Sequence, residues 1–272
     1  MTEPLSIANL RINSGNMRFL PLLVEAAQSH SIPVAVLATI ITAEAQMRPA
    51  EGDVTWDELS YNELGLAAGL AQFTQASWLA HARRPGGMLN ALGMSRGIIS
   101  PQGEILDEPA LLDIRYDPRM SLQLTAESAR RNLDILNAKG LAPETMGAGA
   151  LAKIVYLAHH EGAEGAYRYL IGARPAVSRE RFESNVPPKQ WPQDRSQASL
   201  VACYFRWLEN YIDRRIDIRR YLLDSGGVDV PRLAALGRAH PYLLLKFWLR
   251  NRKVAAVSRA KRGVGALRKN RA

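Results

Sequence analysis

Apolar positions along the chain recur mostly at helical spacing. Residues 19–28 repeat in that way, with Pro21 tolerable in the first turn. A second helix is predicted over 33–47, with Ser31 offering the N-cap and Pro33 just inside the start. Residues 49–62 are polar, opened by Pro49, Glu51 and Gly52, and 65–79 is an Ala-rich stretch that reads as a turn leading into a helix. Residues 83–113 are dense in Gly, Pro and polar side chains, and Pro101-Gln102-Gly103 could turn a small hairpin within 98–106. Asp117-Pro118 starts a helix to about residue 137, and 144–160 is the next, with Gly162 as its terminator. A proline-broken loop over 172–196 precedes a long amphipathic helix over 197–223. Ser225-Gly226-Gly227 then breaks the chain before a short helical end. No parallel-strand series and no repeat is visible. The expected class is mainly α, one domain over 1–224 with a helical extension over 225–272.

Composition narrows this little: 47% hydrophobic and 22% charged residues suit a globular protein with a sizeable core. Charge narrows it more. The net +9 belongs to the end of the chain: residues 246–272 hold ten Lys or Arg and no acid, while the first 245 hold 25 basic against 26 acidic residues. A nucleic-acid partner is therefore not indicated by the body, and no reader motif accompanies the tail. The stretch 241–249, aromatic and aliphatic beside the cationic run, suits an anionic membrane surface or lipopolysaccharide. It reads equally as a packed segment followed by a solvated end. The single Cys203 excludes an intramolecular disulfide and a cysteine metal cluster. The first residues lack a basic region followed by an apolar stretch, so a secretory signal is not expected.

Candidate chemistry centres on Glu44. Leu37, Ile40 and Ile41 precede it by seven, four and three residues, which sets a carboxylate in line with an apolar stripe. It also falls near the negative end of its helix. Both placements disfavour the charged form, as a proton donor to a leaving oxygen requires. The helix alone equally describes a boundary glutamate that reaches solvent. Residues 47–58 imitate part of a calcium loop, with Gly52 and Glu58 in register, but Met47 and Pro49 occupy its leading ligand positions, and no metal or other cofactor is expected.

Four segments in order carry a resemblance. A helix beginning Ile32-Pro33-Val34 ends Ala43-Glu44-Ala45-Gln46; Gly69-Leu70-Ala71-Gln72-Phe73-Thr74 follows; Tyr116-Asp117-Pro118 heads a helix; residues 152–162 read AKIVYLAHHEG. Across about residues 18–172 this resembles the lytic transglycosylase branch of the lysozyme-like superfamily, including phage endolysins of that type. The resemblance implies a lysozyme-like α-domain, Glu44 as catalytic acid and base, and Gln72, Tyr156 and His159 at the substrate. Two departures stand out. Ala71 replaces the usual Met, and His159-His160-Glu161-Gly162 replaces Tyr-Asn-Ala-Gly, although Tyr156, His159 and His160 match the Tyr-x-x-His-His of some phage enzymes. Tyr156 could donate to Glu44 or to a sugar carbonyl, either histidine could do the same or simply fill the core, and Gln72 could bind an N-acetyl group, orient Glu44 or cap a helix.

Hydrolytic glycosidases commonly use two carboxylates. Asp53, Asp57, Glu58 and Glu63 supply them in number, but no motif places one, and Phe73 follows Gln72 without the Asp of goose-type lysozymes. The expectation is cleavage of the β-1,4 bond between N-acetylmuramic acid and N-acetylglucosamine by one glutamate, leaving a 1,6-anhydro end. A muramidase, or a non-catalytic wall- or membrane-binding module on the same fold, is the alternative. Without a signal the protein would be made in the cytoplasm. It would reach the periplasm or wall as a phage endolysin released by a holin, or as an antibacterial effector of a machine such as type VI secretion, with an immunity or secretion partner.

Overall fold

The computed structural model describes residues 6–45, 47–50, 53–63, 66–194 and 196–237. The cationic run and the 241–249 stretch lie outside the described residues. Ten α-helices and five short strands are described. The protein is mainly helical, as expected.

The chain enters through α1 (Leu20–Ser29) and α2 (Val34–Glu44). Ser31 does not cap α2. It sits at φ +53°, and Pro33 occupies the capping position with extended backbone, so the helix begins one residue later than read. A left-handed Ser31 reverses the chain tightly after α1 and spends no side-chain bond on α2. Helix α2 is not amphipathic: Val34 to Ile41 are at most 4% exposed on every side. A helix apolar all round runs through the middle of a core, and each fully buried Ile or Leu is worth about 1.5–3 kcal/mol. It also ends three residues early, because Ala45 turns extended and Met47 enters a strand.

The polar stretch after it is a hairpin, β1 (Met47–Ala50) and β2 (Asp53–Trp56), with Met47 opposite Trp56. A second, three-stranded antiparallel sheet follows: β3 (Tyr61–Asn62), β4 (Ala67–Ala68) and β5 (Phe73–Thr74). Thr74 then caps α3 (Gln75–Ala82), accepting from the Ser77 amide at 3.2 Å. The Gly- and Pro-dense region folds into α4 (Met88–Ser95) and α5 (Glu108–Asp113), and the expected turn survives between them as an Ile99–Ile105 bridge closed by Gly103 at φ +88°.

Asp117 caps α6 (Pro118–Ala138), accepting from the Met120 amide at 3.2 Å, with Pro118 as the first helical residue. Helix α6 packs along both α1 and α7 (Ala148–Leu170). Gly162 interrupts α7 at φ +71°, ψ 163°, but the helix resumes at once and runs on to Leu170. The resumption has a cause in the sequence: Ala163, Ala166, Tyr167 and Leu170 form a further buried stripe. Helix α8 (Arg179–Asn185) lies inside the expected proline-rich loop, and α9 (Gln197–Arg215) stops eight residues short of the predicted end, giving way to a 3-10 turn over Ile218–Tyr221. Residues 228–237, including α10 (Leu233–Leu236), lie against α7 and α9. There the Leu233 amide donates to Asp213, which also holds the buried Lys153 ammonium at 2.5 Å. Among the described residues no helix is long and apolar enough to cross a membrane.

Candidate active-site cleft

Helix α2 delivers Glu44 to the floor of a cleft of about 940 Å³. The three-stranded sheet and α3 form one wall (Asn62, Gln72, Phe73, Ser77 and His81), and α6 adds Ser128, Arg131 and Asn132. The middle of α7 supplies His159, His160, Glu161 and Gly162, while α8 and α9 close the other side with Arg181, Tyr211 and Arg215.

The Glu44 side chain is 16% exposed, so it is sheltered yet open to the cleft. Its Oε1 accepts a hydrogen bond from the Tyr156 hydroxyl at 2.6 Å, and His159 Nε2 lies 4.0 Å from the same oxygen. No other hydrogen bond from a described residue reaches Glu44. Tyr156 is 1% exposed and does not line the cleft. Of the partners open to it in the sequence, the one it meets is Glu44. Burial, then the negative charge of Glu44, push the Tyr156 hydroxyl well above its usual pKa and keep it a donor. His159 does face the cleft, edge-on to Phe73 at 5.7 Å. Burial lowers its pKa against the opposing pull of Glu44, so the ring stays neutral around pH 7.

Gln72 also lines the cleft, and it is not a helix cap. Its side-chain amide donates to Ser60 Oγ at 2.9 Å and to the Gly69 carbonyl at 3.0 Å. These bonds hold Gln72 in a left-handed conformation, φ +49°, at the turn into β5. The turn is clamped from behind by Arg115, 5% exposed, whose guanidinium donates to the Leu66 carbonyl at 2.9 Å. Gly69 fits between: its φ is +74°, and a Cβ there would lie 2.0 Å from the Arg115 carbonyl oxygen. Glu44, Gln72 and His159 are thus brought to one cleft, with Tyr156 directly behind Glu44.

Several participants carried no signal that spacing could reveal. From α9, the Tyr211 hydroxyl and the Arg215 guanidinium each donate to the Ala43 carbonyl at 3.1 Å. Ala43 is in the last turn of α2, where carbonyls lack helical partners. The Tyr211 ring stacks on Tyr156 at 6.1 Å and 25°. Glu161, adjacent to the histidine pair in sequence, is the centre of a second cluster. Its Oε1 accepts from Arg181 at 2.7 Å, Tyr204 at 2.7 Å and His160 at 3.1 Å. Burial pushes the Glu161 pKa up, but the bonds from His160 and Tyr204 and the Arg181 charge outweigh it, and the carboxyl is held below its usual range. Of the other acids considered from sequence, Asp57 caps the Leu59 amide, Glu58 pairs with Arg18 at 2.6 Å, and neither they nor Glu63 line the cleft.

Chemically the cleft offers Glu44 with one fixed donor, Glu161 held by three, Glu180 on α8, a neutral imidazole beside Glu44, and walls rich in hydroxyl, amide and guanidinium groups. No protein-family model matches the chain, and no curated protein matches it in a sequence comparison.

Proposed function

We propose that the protein cleaves the glycan strands of peptidoglycan at the bond between N-acetylmuramic acid and N-acetylglucosamine, as a lytic transglycosylase of lysozyme-like fold. The observation that carries this reading is Glu44 at the cleft floor, with the Tyr156 hydroxyl at 2.6 Å and His159 at 4.0 Å. Protonated Glu44 gives its proton to the glycosidic oxygen as the C1–O4 bond breaks. The resulting carboxylate then takes the proton of the muramic C6 hydroxyl as that oxygen bonds to C1. The product is a 1,6-anhydro end, and no water is consumed. Tyr156 supports both stages, since it remains a donor to whichever charge Glu44 carries.

Among the cleft acids, Glu161 is committed to three donors and only Glu44 meets the Tyr156 hydroxyl, which favours Glu44 as the working carboxylate. The setting we propose is the bacterial wall, reached as a phage endolysin or as a delivered antibacterial effector. Glu44→Gln is expected to abolish turbidity loss of purified peptidoglycan with circular dichroism and melting unchanged. Clearing retained by that folded variant would overturn the assignment. Mass spectrometry of the released fragments reads the chemistry: anhydro ends support the transglycosylase, and reducing ends would make the enzyme a muramidase.

A further inference from the structure

Helix α6 carries Glu127 and Arg131 four residues apart, the spacing of an ion pair along one helix face. The pair does not form. One Glu127 oxygen accepts from Arg84 at 2.7 Å, and the other from the Met88 amide at 3.4 Å, where α4 begins. Arg130 turns away to Asp134 and Glu144, each at 2.6 Å. Arg131 is left lining the cleft, with no ion pair or hydrogen bond to a described residue. The other cleft arginines are committed, Arg181 to Glu161 and Arg215 to the Ala43 carbonyl. This end of the cleft therefore presents a guanidinium that feels the charge of Glu127 but has its donors unspent on any described residue, a rigid fork suited to a carboxylate. The nearby His81 registers the same field. Burial, then the charges of Arg84 and Arg131, lower its pKa to about 4, so the imidazole stays neutral beside them.

Where the lactyl carboxyls of muramic acid are tied up in peptide amides the glycan itself is neutral, and the anionic groups of peptidoglycan are the carboxylates of its peptide branches. Resting on the glycan-cleaving reading above, we infer that Arg131 is a specificity-determining residue that binds a carboxylate on a peptide branch of the strand. The enzyme then discriminates strands that carry peptides with free carboxylates from strands whose peptide carboxylates are amidated.

The test uses the full-length protein and two substrates, glycan strands whose peptides bear free carboxylates and the same strands with those carboxylates converted to carboxamides. For the wild type, kcat/KM is expected to favour the free-carboxylate strands. Arg131→Gln should reduce that preference about fivefold, through KM, as expected for one charge-assisted contact at a solvent-facing site. Arg131→Lys should restore part of it, and added salt should bring the wild type toward Arg131→Gln. An unchanged preference in Arg131→Gln would overturn the inference. A second measurement separates it from the parent reading. Glu44→Gln protein is titrated calorimetrically with a disaccharide-peptide bearing free carboxylates and with its carboxamide counterpart. About fivefold tighter binding of the former, abolished by adding Arg131→Gln, supports the inference. Equal binding of the two overturns it and leaves the glycan reading standing. Binding of neither, together with cleavage of neither strand by the wild type, overturns the glycan reading itself.

Discussion

Replacing Tyr156 with Phe isolates the contact on which the site depends. The ring is 1% exposed, stacked on Tyr211 at 6.1 Å and packed beside His159 at 6.2 Å, and Phe can keep all of that. What goes is the hydroxyl that donates to Glu44 at 2.6 Å. A hydrogen bond to a charged group is worth about 1.5–3 kcal/mol. The Glu44 side chain retains 16% exposure, so water replaces part of the loss and about 2 kcal/mol is a reasonable expectation. At ~1.4 kcal/mol per tenfold that amounts to roughly a 30-fold slower reaction. The donor is needed most when Glu44 has given up its proton, so the loss should fall on kcat more than on KM. Initial rates of turbidity loss across a range of peptidoglycan concentrations separate the two constants. Urea unfolding should shift by about 1–2 kcal/mol, since the sheltered Glu44 oxygen loses one donor and water replaces only part of it. A folded Tyr156→Phe protein with kcat within twofold of the wild type would refute the claim that this hydroxyl holds the working carboxylate.

Two further perturbations test the surroundings of the site. His81 has its folded pKa lowered from 6.5 to about 4. The unfolded chain therefore binds a proton that the native one refuses between those values, so stability is fully present above about pH 6.5 and falls as the pH drops toward 4. Urea midpoints over that window should show the wild type losing up to about 3 kcal/mol more than His81→Gln, and parallel profiles would contradict it. Gly69→Ala forces a methyl to 2.0 Å from the Arg115 carbonyl oxygen at a φ of +74°. A destabilisation of about 3 kcal/mol or more and loss of cleavage are expected, read by thermal melting and turbidity, because the turn carrying Gln72 must open.

The readable parts of the fold were those with strong local chemistry. Asp117-Pro118 announces α6 because an Asx cap and a first-turn proline act within four residues. Helices α4, α5 and α8, six to eight residues each, are too short to stand by themselves and are set by packing, so Gly- and Pro-rich sequence conceals them. Gly162 reads as a stop since nothing local says that the apolar stripe from Ala163 to Leu170 will find a core to rejoin. At the site, the meeting of Glu44 with Tyr156 spans 112 residues. No periodicity encodes such a pairing, and only the ordered family-like segments suggested it. The bonds from Tyr211 and Arg215 to the Ala43 carbonyl were invisible for a different reason: a backbone acceptor has no letter in the sequence. Arg131 is the reverse case, where local spacing suggests a partner that tertiary contacts have taken.

The bonds on that Ala43 carbonyl also bear on when the cleft is assembled. During synthesis the helix bearing Glu44 leaves the ribosome early, while the residues that secure its last turn are made 168 and 172 positions later. A nascent chain lacking α9 has neither those clamps nor that wall of the cleft. Assembly of the cleft around Glu44 is thereby coupled to synthesis of α9, and a product truncated before α9 carries the glutamate without that wall.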